Sequence, residues 1–192
     1  VAGGAANVAL NASSLGPSVE VCGWFGNDIE GEQLRGLLDA KGVDVDESFI
    51  FSSAPTISKT RVTSSNQQIC RVDREKEADS YMPDLSVLRE NLISKANSAD
   101  LVIISDYGKG FVSDDLLWII RENANFVSID PKPSRLLNYN KPDLLTPNRM
   151  EALELAGKSR LTKQDFSKNE VVQKIFKKFS PHKLAITLGA DG

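Results

Sequence analysis

The sequence has few of the residues on which structural metal sites and disulfide scaffolds depend. It contains two cysteines, Cys22 and Cys70, and a single histidine, His182. The cysteines lie far apart and form no Cys-x-x-Cys pair, which argues against a disulfide scaffold and a structural zinc site. Both thiols are expected to be reduced and to lie in the core, as is typical of a cytoplasmic protein.

Positive charge and long apolar runs are also scarce. The 192 residues carry 23 Lys and Arg against 26 Asp and Glu, which gives a net charge of −3. This balance argues against general nucleic-acid binding and against attraction to an anionic membrane. No apolar stretch is long enough for a membrane span. With 41% hydrophobic and 26% charged residues, the sequence is that of an ordinary globular domain.

Helical and strand periods alternate along the chain. A helical period predicts helices over 5–15, 29–41, 85–96, 113–122, 148–156 and 162–178. Short apolar or alternating runs predict strands over 19–24, 49–51, 101–104, 126–129, 144–145 and 183–187. This alternation predicts an α/β fold with an open, mostly parallel sheet and right-handed crossovers.

Local signals add detail to this pattern. Asp28 is placed to cap the helix over 29–41, and Gly42 to end it. The stretch 26–28 predicts a turn, and the charged stretch 76–83 a loop. The uninterrupted apolar run at 101–104 predicts a parallel strand that is covered on both faces.

The segment 57–73 is unusually polar for core strands. It predicts two strands around a turn at Ser64-Ser65-Asn66, with Lys59, Arg61 and Arg71 among the strand residues. Two interpretations remain open for this hairpin. It is either a solvated sheet face or a lid that closes over a polar substrate.

Gly3, Gly4 and Asn7 directly precede the apolar face of the first predicted helix. Glycine lets the backbone approach a ligand closely, and a helix N-terminus exposes free N–H groups. The pattern therefore predicts either a tight turn or a loop that meets a polar ligand.

Polar residues follow four consecutive predicted strands, at the sheet edge where open parallel sheets bind ligands. They are Asp106 with Lys109, Asp130 with Lys132, Asn148 with Glu151, and Thr187 with Gly189 and Gly192. Such clustering favours a functional site over turn chemistry alone.

Each strand end also has a purely structural interpretation. Asp106 could cap the next helix, and Asp130 with Lys132 could form a surface ion pair. Asn148 and Glu151 have the spacing of a capping box, but could equally organise a hydrated Mg²⁺ near phosphates. Lys109 lies between two glycines, which suits an anion site.

Together, these motifs resemble those of the ribokinase-like (PfkB) carbohydrate kinases. The resemblance is carried by residues 2–9 with Gly16, 26–31, Asn148 to Glu151, and Thr187 to Gly192. Order and spacing agree over nearly the whole chain. The resemblance implies a ribokinase-like α/β fold, with an open, mostly parallel sheet, helices on both faces and a small β lid at 57–73.

Within the family, the likeness is greatest to the branch that phosphorylates heptose 7-phosphates. It is carried by residues 59–62, 66–68, 71–73, 105–110, 130–132 and 144–148. It implies ATP-dependent phosphorylation of the anomeric hydroxyl of D-glycero-D-manno-heptose 7-phosphate to the 1,7-bisphosphate, in ADP-heptose and lipopolysaccharide core biosynthesis. The alternatives are a kinase of another sugar or nucleoside on this fold and a non-catalytic binding or assembly module.

The resemblance implies two sets of site residues, with ATP as co-substrate and Mg²⁺ as the metal. The substrate set is Gly3, Gly4, Asn7, Arg61, Gln67, Arg71, Asp106 and Lys109. Charge makes Lys109, Arg61 and Arg71 the candidates for the substrate's existing phosphate. The nucleotide set is Lys132, Asn148, Arg149, Met150, Glu151, Thr187, Gly189 and Gly192, in which Asn148 and Glu151 hold the metal through water. Pairing of lids between subunits implies a homodimer.

One family motif has no counterpart in these 192 residues. The catalytic base of the family is an aspartate in a Gly-Ala-Gly-Asp loop, and Asp191 with its single following glycine does not match that loop. We therefore expect 1–192 to be part of a ribokinase-like domain whose catalytic loop lies beyond Gly192. We also expect this segment alone to be inactive.

Overall fold

The computed structural model describes residues 1–65, 67–135, 137–158 and 168–192, with residues 168 and 191 as backbone alone. The chain forms two compact units. The first, here the hairpin unit, comprises Val1–Pro83 and Lys109–Phe111. The second, here the sheet unit, comprises Asp84–Gly108 and Val112–Gly192.

The hairpin unit contains two helices and three pairs of short strands. In chain order the elements are α1 (Gly4–Ser14), β1 (Val19–Glu20), β2 (Phe25–Gly26), α2 (Ile29–Asp39), β3 (Val43–Asp44), β4 (Ile50–Phe51), β5 (Ser58–Ser64) and β6 (Gln67–Arg74). β1 pairs with β3 and β2 with β4, both in parallel, whereas β5 and β6 form the antiparallel hairpin that the sequence predicts. Short 3₁₀ turns lie at Glu47–Phe49 and Ala78–Tyr81.

A buried junction explains why the chain has glycine at 26 and 31. The Asp28 carboxylate caps α2 by accepting hydrogen bonds from the Gly31 N–H at 2.9 Å and the Thr56 hydroxyl at 2.7 Å. The Thr56 hydroxyl in turn accepts from the Gly26 N–H at 2.9 Å. A Cβ on Gly26 would collide with the Thr56 backbone, and one on Gly31 with the Gly26 carbonyl. The cap at Asp28 is confirmed, but its long-range partner Thr56 is new.

Several expectations for the hairpin unit need correction. The strand predicted over 19–24 is paired at Val19–Glu20 alone, and Gly26 lies in β2 rather than in a turn, because it packs against Thr56. The predicted loop at 76–83 contains a 3₁₀ turn. The expectation of two core thiols is wrong: Cys70 is exposed, like the whole of β6, and Cys22 is only half-buried.

The sheet unit is built on four parallel strands, as the alternation predicts. Its elements are α3 (Leu85–Ser98), β7 (Val102–Ser105), α4 (Asp114–Asn123), β8 (Val127–Asp130), β9 (Leu144–Leu145), α5 (Arg149–Leu155), α6 (Lys168–Phe179) and β10 (Lys183–Leu184). The strand order is β10-β9-β8-β7. Helix α3 packs on α4 and α5 on α6, and the fully buried core side chains include Leu117, Ile119, Ile129, Leu145, Val171 and Ile175.

Two strand predictions in the sheet unit are only partly right. Ile104 is buried, but Leu101 and Ile103 are 48% and 45% exposed, so the face of β7 on which Ile103 lies is not covered. The strand predicted over 183–187 is limited to Lys183–Leu184, and Thr187 forms an isolated bridge with Asn148. Asn66 and the 162–167 part of a predicted helix lie outside the described residues.

None of the helices in the described part of the chain combines the length and the apolar character that crossing a bilayer needs.

Candidate functional site

A buried aspartate lies at the end of β7. Asp106 is 4% exposed, and its carboxylate accepts hydrogen bonds from the Gly108 N–H at 2.7 Å and the Tyr139 hydroxyl at 2.7 Å. The alternative that Asp106 caps the next helix is wrong, because the Ser113 side chain caps α4 by accepting from the Leu116 N–H. Asp106 instead fixes the loop in which it lies.

The Tyr139 hydroxyl joins two strand ends. It donates to Asp106 and accepts from the Lys132 N–H at 3.1 Å, and the tyrosine is only 1% exposed. Burial raises the pKa of Tyr139 far above its usual range, and the neighbouring Asp106 raises it further, so the hydroxyl keeps its proton. No sequence motif identified Tyr139, because its partner lies 33 residues away.

Asp130, at the end of β8, lies in an excess of negative charge. Burial raises its pKa to about 6, and Glu151 and Asp106 raise it too, whereas Lys132 lowers it. The alternative that Asp130 forms an ion pair with Lys132 is wrong, because the Lys132 ammonium instead lies 3.5 Å from a carboxylate oxygen of Glu151. Such an excess of carboxylate charge would be relieved by a bound cation.

Asn148 and Glu151 form the capping box that their spacing allows. Asn148 Oδ1 accepts from the N–H groups of Met150 at 2.9 Å and Glu151 at 3.0 Å, and Glu151 Oε2 accepts from the Asn148 N–H at 3.0 Å. The box starts α5 and aims Glu151 Oε1 toward Lys132. The structural interpretation is thus confirmed, and it leaves this second carboxylate oxygen outside the box.

The donor set of this cluster fits a hydrated magnesium ion. Asp130 and Glu151 supply hard carboxylate oxygens, the class of ligand that Mg²⁺ prefers, and Asp106 adds negative charge nearby. No group of three or more His, Cys, Asp or Glu side chains in the described ranges is arranged to hold a metal directly. Water and phosphate oxygens would therefore complete the coordination, as Mg²⁺ usually requires.

The two predicted nucleotide motifs lie side by side in the sheet unit. The Arg149 N–H donates to the Thr187 carbonyl at 2.9 Å, and Asn148 and Thr187 form a parallel bridge. Gly189 and Gly192 have φ angles of +69° and +114°, which explains glycine at both positions. Met150 is 41% exposed, and Thr187 and Gly189 are exposed. With Lys132, the structure thus brings the predicted nucleotide set to the start of α5 and the loops beside it.

In the hairpin unit, the start of α1 is open. The helix begins at Gly4, one residue earlier than predicted, and the preceding Gly3 is extended with no side-chain cap. No atom lies within 4 Å of the position where a Cβ on Gly3 would be, and Gly3 and Asn7 are both exposed. The glycines therefore leave the first helical N–H groups accessible, as the ligand interpretation requires.

The β5–β6 hairpin has two chemically different faces. The register sets Lys59 opposite Asp73 and Arg61 opposite Arg71 on one face, here the charged face. On the other, here the apolar face, Thr60 lies opposite Val72 and Val62 opposite Cys70. A bulge after Val62 interrupts the ladder near Gln67, which pairs with Ser64. Val62 and Val72 are 42% and 57% exposed.

Positive charge dominates the charged face. The Asp73 carboxylate binds Lys59 Nζ at 3.2 Å and Arg71 Nε at 2.9 Å. Arg61 has no ion-pair partner among the residues that the structure describes. It lies directly opposite a second cation, Arg71. Like charges at such close range destabilise a sheet unless an anion compensates them.

Lys109, the remaining cation of the predicted substrate set, is paired. Its ammonium lies 2.6 Å from Glu75, the residue that follows β6. Gly108 and Gly110 on either side have φ angles of +67° and +106°, a region that favours glycine.

Known proteins resemble the chain in both sequence and fold. The model of the family described as "pfkB family carbohydrate kinase" matches residues 1–192. The bifunctional protein HldE of Helicobacter hepaticus is 41% identical over 80% of this chain and 33% of its own length. HldE of Sulfurimonas denitrificans is 34% identical over 100% of this chain and 41% of its own length. The chain thus spans about two fifths or less of these relatives.

A solved structure shows the same fold. The tetrameric inhibited form of phosphofructokinase-2 from Escherichia coli matches with a TM-score of 0.73 and 22% identity, over 99% of this chain and 63% of that one. Identity at this level speaks for the fold alone, whereas the family match covers the entire sequence. The chain therefore belongs to the pfkB family of carbohydrate kinases.

Proposed function

We propose that the protein that contains this chain transfers the γ-phosphoryl group of ATP to the anomeric hydroxyl of D-glycero-D-manno-heptose 7-phosphate. The observation that carries the proposal is the charged face of the hairpin, where Arg61 and Arg71 lie opposite each other with one carboxylate nearby. A sugar that already bears a phosphate supplies the missing negative charge. Two of the motifs that resemble the heptose-phosphate branch, Lys59 to Val62 and Arg71 to Asp73, lie in this hairpin.

The strand ends of the sheet unit provide the nucleotide side of this proposal. Transfer of a phosphoryl group depends on positioning and on neutralising charge on the phosphate oxygens. The Lys132 N–H donates to the Tyr139 hydroxyl, and the Lys132 ammonium lies near the Glu151 carboxylate. These two contacts orient the lysine side chain. Thr187 and Gly189 lie on the loop beside Asn148, where a nucleotide can approach the exposed backbone.

Magnesium would neutralise the phosphate charge when bound at the carboxylate cluster. The residues of this chain contribute its surroundings. Glu151 Oε1 and the Asp130 carboxylate attract a hydrated cation, and the capping box fixes the direction in which Glu151 points. Asn148 contributes by anchoring that box, since its side chain is occupied by two N–H groups of α5.

Gly3, Gly4 and Asn7 are proposed to hold sugar hydroxyls. The uncapped start of α1 offers backbone N–H donors, and the Asn7 side chain offers both a donor and an acceptor. Hydrogen-bond donors and acceptors together suit an uncharged sugar ring with many hydroxyl groups. The hairpin charges and Lys109 then bind its distal phosphate, and Asp106 shapes the adjoining loop.

A substrate panel tests this proposal. The full-length gene product is assayed with ATP and heptose 7-phosphate, ribose, fructose 6-phosphate or adenosine, and ³¹P NMR identifies the position of the new phosphate. We expect a clear preference for the heptose and an anomeric phosphate in the product. A preference for another acceptor would assign the protein to a different sugar or nucleoside kinase. Absence of turnover with every acceptor would favour a binding module.

We also propose that the apolar face of the hairpin forms a homodimer contact. Val62 and Val72 are 42% and 57% exposed, and a two-stranded hairpin cannot bury them alone. Light scattering of the full-length gene product at micromolar concentration is expected to show a dimer, and Val72→Asp is expected to show a monomer. A wild-type monomer under these conditions would contradict this proposal.

A further inference from the structure

The cation proposed for the substrate phosphate already has an anionic partner inside the protein. Lys109 Nζ lies 2.8 Å from Oε1 and 2.6 Å from Oε2 of Glu75, so the ammonium contacts both carboxylate oxygens. The two side chains are 36% and 28% exposed, so neither is fully hydrated. In this arrangement the charge of Lys109 is balanced before any substrate binds.

The position of Lys109 is set by its neighbour Gly110. A Cβ on Gly110 would collide with the Ala78 carbonyl, so the backbone at this point packs directly on the turn at Ala78–Tyr81. Gly110 is also buried, with a φ angle of +106°. Lys109 is thus presented from a tightly packed loop rather than from a loose surface segment.

Glu75 is held on both sides as well. The preceding Arg74 binds Glu30 at 2.6 Å, next to the Asp28 junction. The following Lys76 donates its N–H to the Tyr81 hydroxyl at 2.9 Å and its ammonium to the Ser53 carbonyl at 2.9 Å. Because both neighbours of Glu75 are anchored, its approach to Lys109 is a built feature and not a chance contact between two long surface side chains.

We propose that Glu75 is a specificity-determining residue, an internal counter-ion that the substrate phosphate must displace from Lys109. The inference rests on the proposed function, in which Lys109 binds that phosphate. Any anion that binds Lys109 must first displace the Glu75 carboxylate, which lowers the affinity of that anion. A phosphate attached to a sugar that is held elsewhere has a high effective concentration at Lys109 and can bear this cost. Free inorganic phosphate has no such anchor, and an uncharged sugar leaves the ion pair intact.

The test compares Glu75→Gln with Glu77→Gln in the full-length gene product. Glu77 is exposed and two residues away, so its variant removes the same charge without touching the pair. Binding of inorganic phosphate is measured by calorimetry at low and high salt. We expect E75Q to lower the dissociation constant for phosphate about threefold to tenfold. The substitution breaks a partly exposed ion pair and removes the repulsion between Glu75 and the phosphate. The gain is expected to shrink at high salt, and E77Q is expected to match wild type.

Two further variants separate failure of this inference from failure of the proposed function. Lys109→Met is expected to abolish the gain in the E75Q background. If Lys109→Met weakens binding of heptose 7-phosphate but E75Q behaves like E77Q, the role of Glu75 is refuted and that of Lys109 stands. If Lys109→Met binds heptose 7-phosphate as wild type does, the proposed role of Lys109 fails, and the inference fails with it.

Glu75→Asp provides a second test should E75Q fold poorly. Aspartate keeps the charge but has a shorter reach, so a smaller gain of the same sign is expected. Unchanged phosphate affinity in a folded Glu75→Asp variant would contradict the inference. Circular dichroism and thermal melting establish that each variant is folded.

Discussion

The hairpin and the strand ends present polar groups in opposite ways. Every residue of β6 is exposed, and the charged face carries three cations but one carboxylate, that of Asp73, which pairs with Lys59 and Arg71 and not with Arg61. At the strand ends, Asp106 and Tyr139 are 4% and 1% exposed and their polar atoms bond to each other and to backbone.

The difference suggests that the buried network stabilises the fold and that the hairpin surface recognises a ligand. A buried, satisfied network contributes to stability and fixes the geometry of the groups around it. An exposed surface with uncompensated charge contributes little to stability but gains much from an anionic ligand. Substitutions in the buried network of Asp106 and Tyr139 should therefore reduce the free energy of unfolding, whereas substitutions on the hairpin should change ligand affinity.

The largest effect is expected for Tyr139→Phe. Loss of the hydroxyl leaves the Asp106 carboxylate and the Lys132 N–H without a buried partner, which should cost about 2–3 kcal/mol of unfolding free energy. Tyr107→Phe is the matched control, because Tyr107 lies in the same loop as Asp106 and is 47% exposed. Urea denaturation measures both. Equal stability of the two variants would show that the buried network is not stabilising.

Asp28→Asn is expected to lower the free energy of unfolding somewhat less, by about 2 kcal/mol. The variant weakens the cap of α2 and mismatches one hydrogen bond. An amide in place of the carboxylate would face the Thr56 N–H with its own donors. Asp84→Asn serves as control, because Asp84 caps α3 but is bonded to Ser86 and the nearby backbone alone.

The pH dependence of the Asp28 effect follows from the pKa of this carboxyl. Burial raises the pKa of Asp28, but hydrogen bonds from Thr56 and Gly31 together with Arg74 outweigh burial and lower it overall. A depressed pKa in the folded state stabilises the protein above the unfolded value near 3.8. The difference between wild type and D28N should therefore narrow as the pH falls below about 4. A constant difference from pH 7 to pH 3 would contradict this account.

Asp130→Asn should have the smallest effect on stability, and of the opposite sign. The pKa of Asp130 rises from 3.8 to about 6 on folding, so the charged carboxyl destabilises the folded state increasingly between these values and fully above pH 6. Removing the charge should stabilise the protein at pH 7 by about 1 kcal/mol after allowance for solvent screening, and not at all below pH 4. Thermal melting at both pH values checks this.

The exposed Asp100→Asn is the control for removing one charge in the sheet unit. A lower stability of D130N at pH 7 would contradict the proposed excess of negative charge. In the full-length gene product, the same variant should lose the proposed kinase activity, since Asp130 is part of the cluster proposed to attract the cation.

Elements with a local signal could be predicted from the sequence. The helix over Ile29–Asp39 follows from the cap at Asp28, the box at Asn148 and Glu151 from their spacing, and the hairpin from alternating residues around a polar turn. In each of these elements, the side chains that determine the structure are within a few positions of each other.

Elements that depend on distant partners could not be predicted. Thr56 meets Asp28 across 28 residues, and Tyr139 meets Asp106 across 33. Likewise, Glu75 lies between the predicted hairpin at 57–73 and the predicted loop at 76–83, and nothing local indicates that it faces Lys109. Coverage of β7 was overestimated because an apolar run does not reveal whether both faces of a strand are packed against other elements.

The most direct test of the account measures how the hairpin distinguishes phosphorylated from unphosphorylated sugar. The ratio of kcat/KM for heptose 7-phosphate to that for the unphosphorylated heptose is determined for the wild-type full-length gene product and for the Arg61→Gln, Arg71→Gln double variant. We expect the ratio to fall by about 10- to 100-fold, since charge-assisted bonds to phosphate are lost, with an unchanged melting temperature. An unchanged ratio in a folded, active variant would contradict the account.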